Sequence, residues 1–150
     1  GDEPELDPAQ IDTLVTLMQG CADPMGTLAE PLADPADLAR SQVVKVVLNL
    51  AGQALYFSRA AIPTGAPLGP EGPLRHVGIY AYTREALHDW VALAPSQLER
   101  LESLEQLRPL EAGLKIGVTI VGAADPGVDT MADVLRMEKK LSAQGVPSFA

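Results

Sequence analysis

Apolar and polar positions change period several times along the chain, and the changes divide it into helices and strands. Ile11, Leu14, Val15 and Met18 recur at helical spacing. Asp7 is placed to cap this helix, Pro8 suits its first position, Gln10 can close a capping box, and Gly20 ends it. Met25 to Leu32 reads as a strand interrupted by Pro31, and Asp34-Pro35 opens a short helix to Ala39. Val43 to Leu48 is β-branched and mostly apolar, which predicts a strand, with a return strand over Ala54 to Ser58 after a turn at Ala51-Gly52. Proline and glycine alternate from Pro63 to Pro73, which predicts a long loop, either a surface insertion or a flap over a site. His76 to Tyr82 predicts another strand, and Thr83 caps a helix carrying Leu87, Trp90 and Val91. The capping box Ser96-Gln97-Leu98-Glu99 predicts a single helix through Leu110 that stops at Gly113. Lys115 to Val121 predicts a strand, and Thr130 opens a last helix running to Gly145. Strands mixed with helices in this way predict a layered α/β domain, one piece over residues 1–150.

Composition narrows the function classes. Of the 150 residues 47% are apolar, which excludes a disordered tail. A net charge of -9 argues against a nucleic-acid partner, because the surface repels phosphate backbones. No apolar run is long enough to cross a bilayer, so no membrane insertion is expected. Cys21 is the single cysteine, so no intrachain disulfide forms; a small, buried apolar role is expected for it. These features fit a cytoplasmic protein.

Six segments, in order, carry a resemblance: Gly1-Asp2-Glu3-Pro4; Val44-Lys45-Val46-Val47; Ala54 to Ala60 with Ile62-Pro63; Leu74 to Tyr80; Leu104-Glu105-Gln106-Leu107-Arg108; and Gly127-Val128-Asp129-Thr130. Together they resemble the CMP-Kdo synthetases, which couple CTP to the sugar acid 3-deoxy-manno-octulosonate (Kdo). The resemblance covers nearly the whole chain and matches that family's second half. It implies a Rossmann-like nucleotide-diphospho-sugar transferase fold, Mg²⁺-dependent cytidylyl transfer giving CMP-Kdo and pyrophosphate, a role in lipopolysaccharide biosynthesis, and a cytoplasmic homodimer. Family members begin with a strand and a basic, glycine-containing loop that cradles the CTP phosphates. The chain opens after that portion, so these 150 residues alone are expected to be inactive. A cytidylyltransferase for another acidic sugar, or a non-catalytic dimerisation or sugar-binding remnant, stays open.

Site residues are assigned by type and by resemblance. Asp2 and Asp129 sit in loops beside Gly or Pro, each before a predicted helix. The resemblance makes them the catalytic carboxylates that hold Mg²⁺. His76, Gly78 and Tyr80 alternate, and period two puts them on one strand face, with a bare glycine between two polar side chains. By themselves His76 and Tyr80 read as core residues; the resemblance places them in the Kdo pocket, His76 as a hydrogen-bond donor to the sugar. Glu105 and Gln106 read as neighbouring helix residues pointing about 100° apart; by resemblance both border the same pocket. Glu99 and Glu102 are expected at the surface. Arg59 follows an apolar strand, and its planar fork suits the carboxylate of Kdo. Arg75 is expected to be structural or at a subunit contact.

Overall fold

The computed structural model describes residues 7–65 and 72–122. All of them belong to the compact unit Asp7–Ala123; the second unit, Gly1–Leu6 with Ala124–Ala150, lies outside the described residues. The helix predicted from Thr130, the centre of the proline-glycine loop, and both Asp2 and Asp129 therefore fall outside them as well.

Helix α1 (Pro8–Gly20) begins where the sequence places it, with the Asp7 carboxylate accepting from the Ala9 N–H at 2.9 Å. Gln10 does not close a capping box: it is buried, and its Oε1 has no partner among the described residues. Strand β1 (Met25–Pro31) comes next, then the short helix α2 (Pro35–Ala39), capped by Asp34. Strands β2 (Lys45–Leu48), β3 (Ala54–Ser58) and β4 (Leu74–Tyr82) lead to α3 (Arg84–Ala92), capped by Thr83. Helices α4 (Gln97–Glu102) and α5 (Leu107–Glu111) precede β5 (Ile116–Ile120).

The single helix expected from Ser96 to Leu110 is thus two. Ser103 adopts a left-handed conformation (φ 54°) that ends α4. Pro109 supplies the reason. Inside one long helix it would lack the N–H that bonds back four residues and would clash with the preceding turn. At the third position of α5, by contrast, the missing N–H is one that has no intrahelical partner anyway. Glu105 and Gln106 accordingly lie in the connection, with Gln106 at the N-cap of α5, rather than in mid-helix.

The strands form one sheet in the order β3-β2-β4-β1-β5. The pair β1–β5 is parallel and the other three are antiparallel. Alternation along β1 and β4 separates two cores. Met25, Ala29, Val46, Phe57, Leu74 and Leu107 belong to the larger, against which Trp90, Leu98 and Leu110 pack. Leu14, Leu28 and Val77 form the smaller, under α1. Gly26 brings α1 close: a Cβ there would lie 2.7 Å from Met18 Sδ and 3.2–3.3 Å from methyls of Leu17 and Leu14.

The pairing of β1 with β4 is irregular at one point. Thr27 pairs with Tyr80 and Leu28 with Val77, so Gly78 and Ile79 bulge out of β4. Because two residues are inserted, the alternation of faces survives the bulge.

Candidate functional site

His76, Tyr80 and Tyr82 form a row of rings along β4. The His76 and Tyr80 centroids are 5.3 Å apart, and Tyr80 stacks on Tyr82 at 6.1 Å. Phe57 closes one end, edge-on to His76 at 5.1 Å; Trp90 closes the other, 5.3 Å from Tyr82. Gly78 is exposed in the bulge, and its displacement with Ile79 lets the His76 and Tyr80 rings meet directly. His76 and Tyr80 thus share a face, as read from their spacing, but Gly78 lies in the bulge and leaves no notch between their rings.

The polar groups of this row are held very differently. His76 Nε2 lies 2.9 Å from Thr27 Oγ1. Enclosure in the apolar core, reinforced by the neighbouring Arg75 charge, drives the imidazole pKa down to about 3, so the ring is neutral at ordinary pH. Burial first, then Tyr82 and the Glu105 carboxylate, push the Tyr80 phenol well above its usual range. The Tyr82 phenol is raised too, by burial and then by the same carboxylate. Glu105 itself is exposed, whereas Gln106 is buried. Among the described residues, neither His76 Nδ1, Tyr80 Oη nor the Gln106 amide makes a hydrogen bond, and none of these atoms is sealed from solvent. Their hydrogen-bonding capacity is therefore open to water or to a bound molecule.

Arg59 stands apart from this picture. Its Nε donates to Glu102 O at 2.9 Å, Nη1 to Ser41 O at 2.9 Å and Nη2 to Ser103 O at 3.3 Å. Three of five N–H groups are therefore spent on backbone carbonyls, and only one on each terminal nitrogen remains for a ligand. Glu102, expected at the surface, is the hub of this knot: it accepts from Ser58 Oγ at 2.7 Å, the Arg59 N–H at 2.9 Å and the Tyr56 hydroxyl at 3.4 Å. Glu99 is not a surface group either. Its carboxylate is paired with Arg108 and closes the Ser96 capping box, and the Arg108 hydrogen bonds hold its pKa down to about 2. Arg75 is structural, in a buried pair with Glu30. Cys21 is half-exposed rather than buried.

Thr27, Lys45 and Glu102 are functional or supporting residues that the sequence pattern does not single out. Thr27 and Lys45 carried a usable signal, since each is a lone polar residue at a core position of an apolar strand and so needs a dedicated partner. Lys45 is fully buried and donates to the carbonyls of Arg40, Val43 and Arg59 at 2.9, 2.6 and 2.7 Å.

A concavity of about 460 Å³ lies between α1 and β5, lined by Asp12, Thr13, Thr16, Leu17, Cys21 and Thr119. It holds none of the residues singled out for chemistry. Among the described residues no cluster of three or more His, Cys, Asp or Glu could hold a metal ion, and no helix is long and apolar enough to cross a membrane.

The fold defines a layered α/β domain with a row of aromatic and polar side chains along one strand. The chain belongs to the cytidylyltransferase family, whose profile matches residues 1–116. It is 50% identical over 145 residues to a 3-deoxy-manno-octulosonate cytidylyltransferase of Anaeromyxobacter dehalogenans (strain 2CP-C), covering 95% of this chain and 59% of that protein. It is 43% identical over 149 residues to the enzyme of the same name from Rhizobium etli (strain CIAT 652), covering 96% and 57% respectively. Among solved structures it resembles a CMP:2-keto-3-deoxy-manno-octonic acid synthetase complexed with CTP, with a TM-score of 0.84 and 42% identity over 97% of this chain and 60% of that one. The chain thus spans about three-fifths of the length of these relatives.

Proposed function

We propose that the complete protein transfers a cytidylyl group from CTP to Kdo, giving CMP-Kdo and pyrophosphate for lipopolysaccharide biosynthesis. One observation carries this reading: in a chain so similar to enzymes of that name, the face across β4 keeps one imidazole nitrogen, a phenol and a carboxamide without hydrogen-bond partners among the described residues. Kdo presents several hydroxyls and a carboxylate, and selective binding calls for mixed donors and acceptors in a concave site. His76, Tyr80 and Gln106 supply the mixture, and Glu105 accepts from hydroxyls at the rim. Arg59 contributes its two remaining N–H groups to the carboxylate and otherwise braces the floor.

In the reaction the anomeric oxygen of Kdo forms a bond to the α-phosphorus, the bond from that phosphorus to the bridging oxygen breaks, and pyrophosphate leaves as the hydroxyl proton is lost. The described residues bind and orient the sugar acid for this step. Asp2 and Asp129 are the residues that would hold Mg²⁺, since two hard carboxylate oxygens beside phosphate suit that ion, which neutralises charge on the triphosphate. The same reading makes the protein a cytoplasmic homodimer.

The test is chemical. The complete protein with CTP, Kdo and Mg²⁺ is expected to release pyrophosphate and to form a product with a phosphodiester ³¹P signal. Turnover with a sialic acid but not with Kdo would transfer the assignment to another acidic sugar. No turnover with either would overturn it.

A further inference from the structure

We infer that Thr27 is a positioning residue that fixes the tautomer of His76, so that the imidazole offers its Nδ1 lone pair to a hydroxyl of the bound sugar acid. This rests on the proposed binding of Kdo to the β4 face and assigns the polarity of one of its contacts.

A single proton decides the tautomer. Thr27 Oγ1 lies 2.7 Å from the carbonyl oxygen of Ile79, 3.3 Å from that of Val77 and 2.9 Å from His76 Nε2. A hydroxyl has one hydrogen to give, and a carbonyl can only accept. If that hydrogen went to His76 Nε2, two carbonyl oxygens would face the Thr27 oxygen with no proton between them, one of them at 2.7 Å. Giving it to Ile79 O removes the closer clash and leaves only the Val77 carbonyl, at 3.3 Å. The remaining contact is then Nε2–H donating to the Thr27 oxygen, so Nε2 carries the imidazole hydrogen. Thr27 is fully buried, so no water can relieve the alternative arrangement.

The bulge makes the device possible. By displacing Gly78 and Ile79, it brings the carbonyls of both Val77 and Ile79 within reach of one side chain on β1. The ring is neutral, because its surroundings disfavour the imidazolium. A neutral ring with Nε2–H leaves Nδ1 as a pure acceptor, and Nδ1 has no partner among the described residues.

Recognition is constrained accordingly. The group that meets His76 must be a donor, hence a hydroxyl of the sugar acid and not its carboxylate, which would set lone pair against lone pair. The donor role expected for His76 is thereby reversed. An analogue with that hydroxyl O-methylated or removed loses the contact.

The tautomer is read directly by long-range ¹H–¹⁵N correlation on the ¹⁵N-histidine-labelled protein, with the signals lost in His76→Gln identifying the His76 ring. The expected spectrum at neutral pH has a protonated Nε2 and an unprotonated Nδ1 for His76. Thr27→Val should shift His76 toward the other tautomer and raise KM for Kdo by about tenfold, the weight of one lost hydrogen bond, with KM for CTP changed less than about twofold. Thr27→Ser should restore both. A wild-type spectrum with hydrogen on Nδ1, or a folded Thr27→Val protein with unchanged tautomer and Kdo KM, overturns the assignment. Should Thr27→Val fail to fold, the wild-type and Thr27→Ser spectra still decide. His76→Ala distinguishes failure of the binding face from failure of the Thr27 role. If it leaves KM for Kdo unchanged, Kdo does not bind this face. If it raises that KM while hydrogen is found on Nδ1, only the role of Thr27 fails.

Discussion

Lys45 Nζ donates to the Arg59 carbonyl at 2.7 Å, tying the start of β2 to the end of β3 from inside the protein. With its bonds to Arg40 and Val43, the ammonium satisfies three carbonyls at once, and burial lowers its pKa below the usual lysine value. Lys45→Met keeps the bulk and removes all three bonds. It is expected to cost about 2–4 kcal/mol, because orphaned buried acceptors bear their full desolvation penalty. Urea denaturation monitored by Trp90 fluorescence checks this; an unchanged midpoint would show that the three carbonyls find water.

Arg59 is mainly a brace. Arg59→Lys retains the charge but cannot span the carbonyls of Ser41, Glu102 and Ser103 together. It should lower stability by about 1–2 kcal/mol in thermal or urea unfolding. A variant of wild-type stability that has lost only its affinity for Kdo would instead make Arg59 chiefly a carboxylate ligand.

Stability should depend on pH through His76. Its folded pKa of about 3 lies below the unfolded value of 6.5, so the unfolded chain binds the proton first. Stability therefore falls as pH drops from 6.5 toward 3, by up to about 1.4 kcal/mol per pH unit from this group. His76→Gln should flatten the slope between pH 6.5 and 5, where carboxylates contribute least. Urea midpoints across that interval give the comparison, and equal slopes would mean the imidazole is freely protonated in the folded state.

The approach of α1 to the sheet depends on Gly26. Gly26→Ala sets a methyl against Met18, Leu17 and Leu14 and should destabilise the fold by about 1–3 kcal/mol. Adding Met18→Ala should recover part of the loss, as a double-mutant cycle would reveal. No recovery would mean that the strain lies in the backbone of β1.

How much of this was legible in the sequence depends on how local its cause is. Caps are local, and Asp7, Asp34, Thr83 and Ser96 all start helices where they were read. The shared face of His76 and Tyr80 is legible for the same reason, since strand alternation needs only neighbours. The break at Ser103 was partly legible through Pro109, whose weight was outmatched by a strong capping box and a continuous run of helix formers. The bulge at Gly78-Ile79 was not, because it is defined by the register of β4 against β1, about fifty residues away. Glu102 looked like any other helix-surface carboxylate; its role emerges only when β3 and the end of α4 meet.

The most direct measurement of the central claim is where Kdo binds. Chemical-shift mapping of the complete protein, saturated with a non-hydrolysable CTP analogue and titrated with Kdo, reports on each ring and side-chain amide separately. The largest changes are expected on His76, Tyr80 and the Gln106 carboxamide, with smaller ones at Glu105. Changes confined to the concavity between α1 and β5, at Asp12, Thr16 and Thr119, with the β4 row unmoved, would contradict the assignment of Kdo to the β4 face.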